Sequence, residues 1–281
     1  MSEASAVVRP EIGKSIVAKG LKTNYLEAGS GTPIVLIHGS GPGVSAWANW
    51  RLVIDKVASN ARVIAIDMAG FGFTELEPGA KYTMPYWLEH LTAFLDALGL
   101  DRVSFLGNSF GGTLATHFAL KNPERVARIA MMGANLLSFP ITPALDRLWG
   151  EDALTHDLMT EHMRFFPYNK ALITDDLVES RLAACARPEY QAAFRSMFPA
   201  PRQKIVDAMA LTEEQLTSLE CEALLLHGRE DVVVPVDVSI RAQALIPRSQ
   251  LHVFGQCGHW VMIEYNRMFV ELMRSFFVSG N

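Results

Sequence analysis

Residues 107–112 read GNSFGG. They follow the apolar run VSFLG and lead into TLATHFALKNPERV, which has helical spacing. A buried strand ending on a serine boxed in by glycines is the strand–turn–helix context that G-x-S-x-G requires. The turn forces Ser109 into a strained backbone conformation, and a Cβ at 107 or 111 would collide with the neighbouring strand or helix. The hydroxyl is then presented above a helix N-terminus, whose amides favour negative charge. A lone serine is a poor nucleophile, so a base, an acid and an oxyanion site must be sought elsewhere in the chain.

Working outward, the same rhythm recurs. PIVLIHG (33–39) and ARVIAID (61–67) are continuous apolar runs typical of strands buried on both faces, and RVSFLGN (102–108), ARIAMMGA (127–134), EALLLHG (222–228) and QLHVFG (250–255) also read as strands. SIVAKGLKTNYLEAG (15–29) alternates weakly and reads as an N-terminal hairpin. Between the runs lie helical stretches: WANWRLVIDKVAS (47–59), FGGTLATHFAL (110–120), VSIRAQALI (238–246) and MFVELMRSFF (268–277). The clearest runs from Pro85 to Leu98, with Trp87, Leu88, Leu91, Phe94, Leu95 and Leu98 on one face and Gly99 just past its end. Strands alternating with helices predict an α/β fold with a mostly parallel eight-stranded sheet covered on both faces. From Asn135 the rhythm breaks. Residues 137–210 carry helical patches, six prolines and no strand run. They read as a helical lid inserted in a core made of 1–136 and 211–281.

Composition narrows the function. The 281 residues are 49% apolar and 20% charged, enough for a sizeable core. A net charge of −5 argues against a nucleic-acid partner. The N-terminus MSEASAVVRPEIGKS lacks a signal-peptide core, and no apolar run approaches the roughly 18 residues that span a bilayer. The three cysteines have no C-x-x-C spacing. A reduced cytoplasmic protein without disulfide, metal or cofactor is therefore expected, acting on a small molecule.

Of eight histidines, His259 in FGQCGHW stands out, just past the last strand. His38, in LIHGSGPG, also ends a strand and reads as a structural residue shaping that loop. The base needs an acid to hold its tautomer and stabilise the imidazolium. LLLHGREDVVVP puts Asp231 in the loop after the seventh strand, beside Glu230, which reads as a solvated loop charge. Asp67, in AIDMAGFG, reads as a turn-former. Cys257 lies two residues from His259 but lacks an elbow, and reads as a small apolar residue. The order Ser109, Asp231, His259 is that of the α/β-hydrolase triad. One oxyanion donor is expected from the backbone N–H of Phe110 and the other from the HGSGPG loop, at Ser40. Gly39 and Gly41 in that loop let backbone amides approach a substrate closely.

Together HGSGPGVSAWANW, DMAGFGFTE, GNSFGG, SFPIT, MFPAPRQ, HGREDVVVP and HVFGQCGHW resemble the meta-cleavage product hydrolases, most closely the 2-hydroxymuconate-semialdehyde hydrolase group. The likeness spans about residues 33–277. It implies hydrolysis of a C–C bond in 2-hydroxy-6-oxo-hexa-2,4-dienoates made by ring-opening of catechols. It also implies that Asn108, Trp260 and Arg187 hold the carboxylate and 2-oxo end of the substrate, and it admits a homo-oligomer. Ser40 departs from the family, whose loop often has glycine there, so its hydroxyl as well as its N–H is a candidate contact. A carboxylesterase or perhydrolase on the same fold, and a non-catalytic ligand-binding relative, stay open as alternatives.

Overall fold

The computed structural model describes residues 9–152 and 155–278. Its eight strands are β1 (Lys14–Ala18), β2 (Leu21–Ala28), β3 (Pro33–Ile37), β4 (Arg62–Ile66), β5 (Val103–Asn108), β6 (Val126–Met132), β7 (Glu222–Gly228) and β8 (Ser249–Phe254). They form one sheet in the order β1-β2-β4-β3-β5-β6-β7-β8. β1 and β2 pair antiparallel, as do β2 and β4, and every other pair is parallel. β5 is buried along its whole length, which is why its sequence reads as a continuous apolar run.

The helix predicted after Pro85 runs Met84–Ala97 and buries Trp87, Leu91, Phe94 and Leu95 against the sheet. The segment read as one helix over 47–59 is instead two short helices, Ala46–Trp50 and Ile54–Val57. The Val53 N–H bonds to the Trp50 carbonyl between them, a tighter turn than the α-helix allows. That turn lets Trp50, Val53, Ile54 and Val57 all face the core.

Between β6 and the helix Glu213–Thr217 that precedes β7, the described chain runs through helices and no strand. Threonines cap several of these helices through their side-chain oxygens: Thr142, Thr155 and Thr174 accept from the third helical N–H. The Leu211 N–H donates to the Leu136 carbonyl at 2.9 Å, so the two ends of the helical run meet where it leaves the sheet. Among the described residues no helix is long and apolar enough to cross a membrane. None of their His, Cys, Asp and Glu side chains gather in a group of three that could hold a metal.

Candidate active site

Ser109 follows β5 and opens the helix Phe110–Lys121 with φ 51° and ψ −116°, a left-handed conformation costly for a side-chain-bearing residue. The glycines make that turn feasible. A Cβ on Gly107 would come within 2.3 Å of the Gly112 nitrogen, and one on Gly111 within 2.2 Å of the Ile37 carbonyl oxygen. These are the helix and strand collisions expected from the sequence.

His259 lies between β8 and a short helix, and Asp231 lies in the loop after β7. The imidazole Nδ1 is 2.6 Å from Asp231 Oδ2. The other carboxylate oxygen accepts the N–H groups of Val233 at 2.8 Å and Val234 at 3.1 Å. Burial alone would push this carboxyl up. The neighbouring His259 and His227 imidazoles outweigh it and hold Asp231 well below the usual carboxylate range. Gly133 makes room for the pair, since a Cβ there would stand 2.7 Å from the His259 ring.

Gly39, Ser40, Gly41 and Asn108 line one pocket with Ser109, His259 and Trp260. Phe110, the residue after the serine, is buried as the first residue of its helix, where the backbone N–H has no partner from the preceding turn. Ser40 is engaged by the helical insertion, because its hydroxyl accepts the Trp149 indole N–H at 3.2 Å. The free space is small, about 20 Å³, enough for a single water molecule.

Arg187 is not among the residues lining this pocket. Its Nη2 donates to the Gly72 carbonyl at 2.8 Å, and its charge acts on buried Asp67. That is a tie between the insertion and the core. The arginine in the pocket is Arg181, six residues earlier in the helix Asp175–Cys185. It is 2% exposed, donates Nη1 to the Pro42 carbonyl at 2.9 Å, and has no partner for Nε. Its guanidinium lies 5.5 Å from the Phe166 ring centroid and 5.4 Å from that of Trp260, two rings that stack on each other. Burial lowers its pKa to about 10, which leaves it charged at neutral pH. Among the described residues no carboxylate forms a salt bridge with it.

Sequence reasoning also passed over Asn49. Its Oδ1 accepts from Asn108 Nδ2 at 2.9 Å, leaving Asn49 Nδ2 and Asn108 Oδ1 buried without partners in the pocket wall. Nothing in a short helix marks such a residue beforehand. Glu230 is more than a solvated charge, because it accepts the Cys257 N–H at 3.0 Å. His38 and Asp67 sit as expected, organising loops. His38 accepts the Met68 N–H at 3.0 Å, and Asp67 accepts from Phe73 N and Asn24 Nδ2, both at 2.8 Å. Cys257 is fully buried, and burial pushes its thiol up, away from a reactive thiolate.

The family described as the alpha/beta hydrolase fold matches residues 32–265. A 2-hydroxy-6-oxo-2,4-heptadienoate hydrolase of Pseudomonas putida is 49% identical over 97% of this chain and 98% of its own length. A 2-hydroxymuconate semialdehyde hydrolase of a Pseudomonas species is 44% identical over 97% and 96%. Among solved structures, a meta-cleavage product hydrolase from Pseudomonas fluorescens superposes with a TM-score of 0.93 at 46% identity, covering 96% of this chain and 99% of that one. With its sheet order, its serine turn and relatives matched over nearly their full lengths, this chain belongs to the α/β-hydrolase fold family and, within it, to the meta-cleavage product hydrolases.

Proposed function

We propose that the protein hydrolyses the C5–C6 bond of 2-hydroxy-6-oxo-hexa-2,4-dienoates in aromatic-compound degradation, with Ser109 as nucleophile, His259 as base and Asp231 as the acid behind it. The observation that carries the reading is Arg181, a buried guanidinium in the wall of the serine pocket whose Nε has no partner and which faces no carboxylate among the described residues. A buried cation without a countercharge is costly, and an anionic substrate would relieve that cost.

The chemistry follows from that charge. A carbon leaving group departs only if it can hold negative charge. The dienol first ketonises, moving its proton to C5. Ser109 Oγ attacks the C6 carbonyl while His259 takes its proton, and the oxyanion meets the N–H groups of Phe110 and Ser40. The C5–C6 bond breaks, and the electron pair delocalises to the 2-oxo end, where Arg181 faces it. His259 returns its proton to give 2-hydroxypenta-2,4-dienoate. Water, deprotonated by His259, then releases the small carboxylic acid from Ser109. Asn49, Asn108 and Trp260 would hold the 2-oxo and carboxylate groups beside Arg181.

Residues 137–210 act in this reading as a lid. Room for one water does not admit a dienoate, so the helices carrying Trp149 and Arg181 must shift for substrate to enter. Stopped-flow mixing with the coloured ring-opened product of catechol tests the reading. Its absorbance should collapse with release of one dienoate and one acid per substrate. Stable colour together with rapid hydrolysis of neutral esters would instead make the protein a carboxylesterase.

A further inference from the structure

A second histidine touches the acid. His227 is fully buried on β7, and its Nε2 lies 3.2 Å from Asp231 Oδ2, the same oxygen that faces His259. It lies also 2.9 Å from the Val234 carbonyl oxygen. Both neighbours are acceptors only, because the carboxylate is held ionised, so the proton between them belongs to Nε2. On the other side of the ring, Nδ1 is 2.7 Å from the hydroxyl of Ser239, itself buried in the helix Val236–Leu245. A hydroxyl can donate to a bare Nδ1, which leaves the ring neutral. An imidazolium at His227 would draw on the one carboxylate charge that the His259 imidazolium needs during turnover.

We propose that His227 is a positioning residue: its Nε2–H, shared between the Val234 carbonyl and Asp231 Oδ2, fixes the carboxylate that faces His259, and the Ser239 hydroxyl fixes the tautomer that carries this proton. It rests on the reading of Asp231 as the acid behind His259. The four acceptor positions of the carboxylate are then all taken, by Val233 N, Val234 N, His259 and His227, and no water is needed at a site with no exposure. The arrangement also moderates the acid, since a donor on Oδ2 spreads charge that would otherwise act wholly on His259.

Replacing His227 by phenylalanine removes the donor at similar size. With more carboxylate charge free to stabilise its imidazolium, His259 should hold its proton to higher pH. The acidic limb of kcat/KM should therefore rise by about half a unit to one unit, with the plateau lowered about tenfold. His227→Gln, whose amide N–H reaches the Nε2 position, should bring the limb back. The other titratable groups around the histidine loop stay the same in all variants: Glu230 on Cys257 N, Glu264 on Gly258 N, the Cys257 thiol, and Arg181 across the pocket. A lower plateau with an unmoved limb in His227→Phe would make His227 structural only and overturn the proposal. Because that variant can lose stability, the wild-type enzyme with 15N-labelled histidine supplies an independent readout. His227 should remain the neutral Nε2–H tautomer through the pH range in which His259 titrates. An Nδ1–H tautomer or a cation there overturns the proposal without any variant. Asp231→Asn separates the two levels: full turnover in it would remove the triad reading itself, whereas loss of turnover with an unmoved limb in His227→Phe would remove only the role of His227.

Discussion

The loops at the strand ends and the helical insertion both line the same pocket, and they differ in how their residues are held. In the sheet, position follows from topology. Ser109, Asp231 and His259 each follow a strand in the parallel part of one sheet, so the sheet brings their carboxyl ends to one edge whatever the loops contain. In the insertion, position follows from which face of a helix meets the core. Arg181 and Arg187 are six residues apart and both donate to core carbonyls, Pro42 and Gly72 respectively, yet only Arg181 reaches the pocket. A residue's role is written into the strand pattern in the first region, and into the packing in the second.

The largest test of the sheet side is Ser109→Ala. Turnover should fall by about 10⁴-fold or more, since a triad loses most of its effect when its nucleophile is removed. The fold should stay intact, because the Ser109 side chain makes no capping hydrogen bond to its helix. Ketonisation of the dienol should persist, as it needs no nucleophile. Dienoate release at a near wild-type rate would move the chemistry away from the strand-end loops altogether.

Next comes the contrast between the two arginines. Arg181→Gln should lower kcat/KM for the dienoate about 10- to 150-fold, the value of a hydrogen bond to a charged group at about 1.5–3 kcal/mol. A neutral ester such as p-nitrophenyl acetate should change little, because it offers no carboxylate. Arg187→Gln should affect both substrates alike, through the tie to Gly72 and Asp67. Selective loss in Arg187→Gln, with none in Arg181→Gln, would reverse the assignment. Measuring both substrates on one preparation controls for misfolding.

The difference between the regions also explains what the sequence made legible. The eight strands, the sheet class, the serine turn and the structural roles of His38 and Asp67 could be read from apolar runs and the residues at their ends, and the His259–Asp231 contact from the chain order of serine, aspartate and histidine at strand ends. Arg181 could not. It sits in TDDLVESRLAACA, a segment with little helical amphipathicity in which polar and apolar residues are both buried, so no apolar stripe says which face turns inward. Asn49 was hidden for a related reason. It lies in a five-residue helix too short to show a period, and its link to Asn108 spans 59 positions of sequence. Sequence patterns record local periodicity, and a single buried arginine in a pocket wall has none.

A smaller effect is expected where the two regions touch. Ser40 belongs to the core loop, and its hydroxyl accepts from Trp149 of the insertion. Ser40→Ala should leave the backbone N–H in place, so kcat should fall less than tenfold. The buried Trp149 N–H would lose its partner, at about 1–3 kcal/mol. The thermal midpoint should therefore drop by several degrees. A fall in kcat of about a hundredfold with an unchanged melting curve would mean that the hydroxyl itself serves the oxyanion.

The smallest effect should come from Cys257→Ala, which asks whether nearness to His259 is enough for a role in the strand-end loops. Cys257 is two residues from His259 and wholly buried. Its Sγ lies 3.6 Å from the Gly258 carbonyl oxygen and 3.7 Å from Glu264 Oε1. Burial comes first, and then the Glu264 carboxylate, in pushing the thiol up, so it remains protonated and unreactive at neutral pH. The loop does not depend on this side chain. It is held through its backbone, with Glu230 accepting from Cys257 N, Glu264 from Gly258 N at 2.7 Å, and the Phe166 carbonyl from His259 N at 2.6 Å. Removing the sulfur therefore deletes one small packed atom and no hydrogen bond that orients His259. The expected result is kcat/KM within about threefold of wild type, with a stability loss of about 1 kcal/mol from the small cavity. Loss beyond about a hundredfold, with an unchanged melting curve, would place the thiol in the chemistry and end the contrast between catalytic and packing residues within this loop.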